Sequence, residues 1–411
     1  MELINNVNNL DGKNWLRNAI NFYDIETFNI EEIQKKFYDL CYKKRTSGET
    51  FLYKDKYKIS KYDFTFQYVH HYEELKKAFE IIVNSSYNSY HAILVDDEID
   101  DNILISKCIT EYIEISGLEY RGKIIVNCKE ESTIKKVFLI LNRLSDIKSI
   151  KLKKHEVMVE KKSEYVISSK SKIDKIGLKH PAPYSYNDIE TLIDKEKIHN
   201  KVILDPFLGI GSTIIGTYKS NYNIGIELNE EYVELIKERI KFLKIDDLDE
   251  SKYKIINGDS SKEIKKIEQN IDVVITSPPY FNILKNKSKG VRHDKSQTRQ
   301  GVEYYSELKN DIGNLDEYDA YLKAMGKIFK ESFNKMNKGG KFYLIISDFT
   351  INKKETDIHS DMILLMNKAG FVYNGTSYIL QNQKAIYPFG YPYKIVLNHI
   401  YQYIIIFEKR C

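Results

Sequence analysis

KVILDPFLGIGST, from Lys201 to Thr213, decides the fold. Its apolar start reads as a strand entering a turn. Gly209 and Gly211 would let the backbone approach a ligand closely where a helix opens, or simply serve a tight strand-to-helix turn. Working outward, NIGIEL (from Asn223) reads as a second strand and NEEYVELIKERIKFL (from Asn229) as a helix with Asn229 as N-cap. KIINGD (from Lys254) and DVVITSPPY (from Asp272) are two more strands with turns at their ends. DEYDAYLKAMGKIFKESFNKM (from Asp316) is a long amphipathic helix closed by Lys338-Gly339-Gly340. KFYLIISD (from Lys341) is a fifth strand and DIHSDMILLMNKAG (from Asp357) a helix ending in Gly370. FVYNGTSYIL (from Phe371) and HIYQYIIIFEK (from His399) make a closing antiparallel hairpin. This alternation predicts a doubly wound α/β sheet, whose ligands sit at the carboxyl ends of its strands.

The chain has 411 residues, which implies two or three domains. With 42% hydrophobic and 30% charged residues, wholesale disorder is excluded. No apolar run approaches a membrane span, and MELINNVNNLDGK carries no secretory pattern, so a soluble cytoplasmic protein is expected. Cys41, Cys108, Cys128 and Cys411 are too scattered for a disulfide framework or a CxxC metal site, and no metal is expected. The net charge of +4 hides an uneven distribution. Residues 121–180 hold 16 basic and 7 acidic residues, a pattern open to a polyanion-binding face or to a solvated linker. The Lys- and Ser-rich stretch Lys148–Lys175 reads as a connection. It divides an N-terminal region, 1–175, from a C-terminal domain, 176–411.

The N-terminal region is mixed α/β: EEIQKKFYDLCYKK and EELKKAFEIIVNS look helical, YHAILVDD and GKIIVNC look like strands. Asp96, Asp97, Glu98, Asp100 and Asp101 read as a solvated loop, and the adjacent His70 and His71 receive no role.

The chemistry lies in the C-terminal half. Glu227 ends the second strand, where a carboxylate accepts both hydroxyls of a ribose, and Asp259 is placed to meet an adenine ring. Together with the glycine turn they predict an adenosine-containing cofactor. Ile214 stands where GxGxxG needs glycine, which disfavours a nicotinamide cofactor. At the end of the fourth strand comes Thr276-Ser-Pro-Pro-Tyr280. Two prolines stop the ladder and leave outward carbonyls. With the Ser277 hydroxyl these accept hydrogen bonds from an exocyclic amine, while Tyr280 offers a flat face to a base removed from its stack. No Pro-Cys turn is present, which argues against attack on a ring carbon. NKSKGVRHDKSQTR (from Asn286) follows the corner. Its Lys287, Lys289, Arg292, Lys295 and Arg299, with Lys285 before it, read as contacts to DNA phosphates or as a solvated loop.

DPFLGIGST, IGIEL, NGDS and TSPPY together resemble the S-adenosylmethionine-dependent amino-methyltransferases of DNA, over roughly Lys179 to Arg410. NWLRNAI (from Asn14), DIGNLDEYDAYL (from Asp311) and PFGYPYKIVLNH (from Pro388) look like one bacterial branch of that family. The resemblance implies a Rossmann-like methyltransferase sheet and S-adenosylmethionine as cofactor. It implies a cofactor site of His180, Pro181, Asp205, Phe207, Gly209, Gly211, Ser212, Thr213, Glu227, Asp259 and Ser260, and a catalytic corner of Ser277, Pro278, Pro279 and Tyr280. HPAPYS (from His180) resembles the segment that packs on the cofactor's methionine end. The TSPPY form most often accompanies cytosine N4 methylation, whereas adenine N6 enzymes usually carry Asp or Asn in place of Ser277. DNA is then the partner, with a restriction endonuclease as a second one. Adenine N6 transfer, RNA methylation and a DNA-binding module without activity are the alternatives. The cofactor elements here precede TSPPY and no long insertion follows it, so region 1–175 becomes the candidate target reader.

Overall fold

The computed structural model describes residues 22–34, 37, 50–51, 64–85, 89–144, 147, 150–162, 164–169, 173–245, 248, 251–282, 306–351, 354–381 and 397–410. The chain forms two compact units. The first comprises Met1–Val157, Asp348–Asp361 and Gln381–Tyr401; the second comprises Met158–Ser347, Met362–Leu380 and Gln402–Cys411. This division differs from a single boundary at residue 175, because two later stretches of chain pack with the first unit.

The first unit is built on strands β1 (Phe22–Ile25), β2 (Thr50–Phe51), β3 (Phe64–Val69), β4 (Tyr90–Val95), β5 (Glu119–Cys128) and β6 (Thr133–Leu141), in the order β1-β5-β6-β4-β3-β2. β1 runs parallel to β5, and β2, β3 and β4 are mutually parallel, while β6 lies antiparallel between β4 and β5. Helices α1 (Tyr72–Val83) and α2 (Ile105–Ser116) bury Leu75, Phe79, Ile82, Ile109 and Ile113 against Ile93 and Phe138.

The basic band at 121–180 is divided: Lys129, Lys151, Lys153, Lys154, Lys161 and Lys162 are exposed. Arg121, Lys123, Lys135 and Lys136 are all buried. Lys123 Nζ sits 3.0 Å from Glu98 and 3.5 Å from Asp357. Burial alone would lower its pKa, yet the carboxylates of Glu98, Asp357 and Asp348 outweigh that and raise it. Lys135 pairs with Asp96 at 2.5 Å. Lys123 and Lys135 thus offset carboxylates inside the fold, while Lys136 Nζ donates to the Ile134 carbonyl at 3.1 Å. Glu98, expected in a solvated loop, is buried for the same reason. His70 and His71 each face an aspartate, Asp96 at 2.9 Å and Asp100 at 3.3 Å.

The second unit holds β7 (Val166–Ser169), β8 (Val202–Asp205), β9 (Tyr222–Glu227), β10 (Tyr253–Asn257), β11 (Ile271–Thr276), β12 (Met336–Ile346), β13 (Val372–Gln381) and β14 (Tyr401–Glu408). Their order is β10-β9-β8-β11-β12-β14-β13-β7. β8 through β12 are parallel, and β14 runs antiparallel to β12. This is the Rossmann-like sheet expected from the strand–helix alternation. Strand order reverses at β8, which pairs with β9 on one side and β11 on the other. A reversal of this kind opens a crevice at the carboxyl ends.

Helices α3 (Tyr186–Glu196), α4 (Ser212–Thr217), α5 (Glu230–Phe242) and α6 (Tyr318–Lys335) connect these strands. The Asn229 side chain caps α5 by accepting from the Glu231 amide, as its position predicts. Lys338-Gly339-Gly340 does not close α6. The helix ends at Lys335, and the glycines lie within β12, where the pairing with β11 shifts register between Ile271 and Val273. Gly339 takes φ +77° there and donates its amide to Lys409 O at 2.6 Å. A left-handed glycine serves a strand irregularity as readily as a helix end.

Arg239 of α5 is fully buried. Its guanidinium donates to Asp174 at 2.9 and 2.8 Å, to Ile210 O at 3.0 Å and to Ser212 Oγ at 2.9 Å. One side chain thereby fastens α5 to the glycine turn and to the segment preceding His180. Removing it leaves the Asp174 carboxylate with only the Gly177 amide, without its counter-charge, and takes a donor from each of two turn acceptors. Arg239→Ala is expected to lower unfolding free energy by about 3 kcal/mol in urea titrations.

Candidate active site

The crevice is walled by the ends of β8, β9 and β11. Asp205, the last residue of β8, is buried and does not reach the open space. Its carboxylate accepts from Thr276 Oγ1 at 2.6 Å, the Phe207 amide at 2.9 Å, Thr213 Oγ1 at 2.5 Å and Tyr184 Oη at 3.2 Å. Tyr184 and Thr213 are also hydrogen-bonded to each other. Burial raises the Asp205 pKa against the pull of these bonds. Thr276 immediately precedes Ser277, so the same carboxylate that shapes the glycine turn sets the start of the corner.

Gly209 and Gly211 both take positive φ, +54° and +78°. They do different work. Gly209 lines the crevice and donates its amide to Glu227 Oε2 at 2.7 Å. Gly211 faces the interior, where an added Cβ would come within 2.8 Å of Ile236. It packs the turn against α5 and lies outside the crevice wall, as do Thr213 and Pro181.

Glu227 ends β9 and is almost wholly buried. Its second oxygen accepts from the Asn229 amide at 2.8 Å. Burial dominates and pushes its pKa up to about 7, despite the two amides that favour the charged form. Asp259 caps the short helix Ser260–Glu263 through the Ser261 amide and approaches Asn310 Nδ2 at 3.4 Å. Burial works against its charge, but hydrogen bonds from Ser261 and Asn310 hold its carboxyl below the usual value. Ser260 donates to Pro206 O. Ser212 lines the wall and donates to Tyr184 O at 2.8 Å.

His180 is pushed down to about 4 by burial and is therefore neutral. Its Nδ1 accepts from the Ala182 amide at 3.2 Å, which leaves the proton on Nε2. Its ring lies 4.8 Å from that of Tyr232.

Ser277, Pro278, Pro279 and Tyr280 face the same crevice as Phe207, Gly209, Glu227 and Asp259. The space encloses about 880 Å³, its solvent-open mouth included. Tyr232, Asn310 and Asp311 complete the wall and were not singled out as site residues from the sequence. Asp311 accepts from Ser306 Oγ at 2.7 Å and the Gly313 amide at 2.9 Å. Its signal was DIGNLDEYDAYL, quoted above only as a mark of the family branch, which the fold brings to the same wall as Asp259. Lys285, Lys287, Lys289, Arg292, Lys295 and Arg299 lie outside the described residues, as do Trp15 and most of PFGYPYKIVLNH.

The sequence matches the profile of the N6/N4 DNA methylases over residues 7–238 and 271–410. The chain belongs to that family. Its cofactor is S-adenosylmethionine. An orphan methyltransferase of Bacillus amyloliquefaciens, M.BamHII, is 33% identical over 73 residues, 18% of this chain and 28% of that protein. An uncharacterized RNA methyltransferase of Clostridium acetobutylicum is 35% identical over 126 residues, 29% of this chain and 26% of that protein. The chain thus spans little more than a quarter of the length of these curated relatives. The magnesium protoporphyrin IX methyltransferase of Synechocystis, solved with its S-adenosylmethionine, superposes with a TM-score of 0.33 at 10% identity, covering 55% of this chain and 77% of that one. That likeness is too slight to carry weight. Among the described residues no helix is long and apolar enough to cross a membrane.

The wall fits this cofactor by its donor set. Glu227, Asp259 and Asp311 bring carboxylates to the crevice, and no lysine or arginine lines it among the described residues. A sulfonium cation suits such a wall; a dinucleotide pyrophosphate does not.

Because folding raises the Glu227 pKa from 4.5 to about 7, the group favours the folded state below pH 4.5, and that contribution is lost as pH rises through 7. Glu227→Gln is expected to remove this component. In urea midpoints measured at pH 5 and pH 8, the variant gains relative to wild type at the higher pH.

Proposed function

We propose that this chain transfers a methyl group from S-adenosylmethionine to the exocyclic amine of a base extruded from DNA, with cytosine N4 as the acceptor. The observation that carries the reading is the Ser277–Tyr280 corner facing the acidic crevice that holds Glu227 and Asp259. When bound, S-adenosylmethionine would supply an electrophilic methyl group to the amine nitrogen, leaving as the neutral thioether while the amine proton passes to solvent. Glu227 would receive the ribose hydroxyls and Asp259 the adenine edge. The neutral His180 would lie beside the methionine end.

Ser277 Oγ and the Pro278 carbonyl would accept the two amine hydrogens and keep the nitrogen lone pair directed at the methyl group. The Tyr280 ring would stack on the extruded base, offsetting part of the few kcal/mol that extrusion costs. Contacts of Lys285, Lys287, Lys289, Arg292, Lys295 and Arg299 to DNA phosphates would supply more. The first unit would read the target sequence. The setting is a restriction-modification or related defence system in the cytoplasm, with a cognate restriction endonuclease as the partner to look for.

Incubation with plasmid DNA, followed by digestion to nucleosides and mass analysis, is expected to yield N4-methylcytosine. N6-methyladenine would assign the adenine reading, and methylation confined to RNA would transfer the proposal to that substrate. Ser277→Ala is expected to bind S-adenosylmethionine within about twofold of wild type while losing about 100-fold in kcat, the scale of one well-placed hydrogen bond in a closed site. Wild-type turnover in the variant would remove the role given to the hydroxyl.

A further inference from the structure

The corner poses a mechanical problem. Pro278 and Pro279 have no amide hydrogen, so neither can be tied to the fold by donating from its backbone. Position must be fixed by donors reaching in from elsewhere and by the residues at either end. The structure provides three such fastenings. Thr276 Oγ1 donates to Asp205 at 2.6 Å. Tyr321 Oη, from the second turn of α6, donates to the Pro279 carbonyl at 3.1 Å. Gln402 Nε2, near the start of β14, donates to Tyr280 Oη at 3.0 Å. Tyr321 is itself fully buried, and its ring packs against Phe281 with centroids 5.6 Å apart.

These fastenings sort the polar groups of the corner. The Pro279 carbonyl is already engaged by Tyr321, and the Tyr280 hydroxyl by Gln402. Among the described residues, Ser277 Oγ and the Pro278 carbonyl have no hydrogen-bond partner, and both residues line the crevice. An amine with two hydrogens needs two acceptors.

From this, the geometry points to Tyr321 and Gln402 as positioning residues for methyl transfer. Tyr321 draws the Pro279 carbonyl inward, which sets the plane of the neighbouring Pro278 carbonyl toward the substrate. Gln402 fixes the tilt of the Tyr280 ring. Neither touches the reacting atoms. The inference rests on the amine-transfer reading above and adds to it which parts of the fold hold the acceptors in register.

The test is Tyr321→Phe and Gln402→Leu in the full chain. Tyr321→Phe keeps the ring and its packing on Phe281 and deletes only the hydroxyl. It is expected to lower kcat about tenfold, the rate equivalent of one hydrogen bond, with KM for DNA and the Kd of S-adenosylmethionine within twofold of wild type. Gln402→Leu is expected to lower kcat about fivefold with the same unchanged cofactor Kd. Concentrations are set by titration with S-adenosylmethionine, so that loss of folded protein does not register as loss of kcat. Unchanged kcat per binding site in both variants, whatever their melting temperatures, would overturn the positioning role while leaving the amine-transfer reading intact. A wild-type chain that methylates neither DNA nor RNA would overturn both. Should Tyr321→Phe fail to fold, Gln402→Leu decides alone, because Gln402 is only partly buried and carries less of the core.

Discussion

A single buried carboxylate organises the active crevice. Asp205 closes β8 at the point where strand order reverses, and accepts hydrogen bonds from Thr276, Thr213, Tyr184 and the Phe207 amide. These donors belong to the chain ahead of the glycine turn, the turn itself, the first turn of α4 and the entry to the proline corner. An oxygen pair that serves four donors imposes distances on all of them, which neutral hydrophobic packing does less sharply. The relation between the glycine turn and the proline corner is therefore held by one side chain that does not line the crevice.

Around that anchor the crevice separates functions by wall. The side formed by β9 and the Ser260–Glu263 turn carries acid, tuned in opposite directions. Burial lifts Glu227, and hydrogen bonds hold Asp259 down. The side formed by β11 carries groups without charge, namely the Ser277 hydroxyl, the Pro278 amide carbonyl and the Tyr280 phenol ring. The corner thus offers acceptors that do not titrate near neutrality.

Much of this could be read from the sequence because it depends on local signals. Apolar runs bounded by Gly, Asn and Pro gave the parallel strands, Asn229 announced its cap, and two consecutive prolines at a strand end have few other uses. What escaped depends on contacts distant along the chain. Gly209 and Gly211 look equivalent in the sequence, but Ile236 lies behind one of them and Glu227 beside the other. Lys338-Gly339-Gly340 reads as a helix end because a left-handed glycine is common to helix caps and strand bulges. Part of the basic band at 121–180 turns inward because Glu98, Asp357 and Asp96 arrive from elsewhere to meet Lys123 and Lys135. The strand TIKKVFLIL and the role of Arg239 were hidden for the same reason. A lysine within a strand, or an arginine on a polar helix, carries no mark of the partner that neutralises it.

The first unit takes in Asp348–Asp361 and Gln381–Tyr401, far downstream of Val157. Lys123 and Glu98, shut inside it, find Asp357 in one of those late stretches. During synthesis, then, the amino-terminal half emerges from the ribosome with an interior cation lacking one of its counter-charges, and must wait for about two hundred further residues before its structure can close. Expression of the early segment alone, or removal of the late ones, leaves that half without part of its own interior.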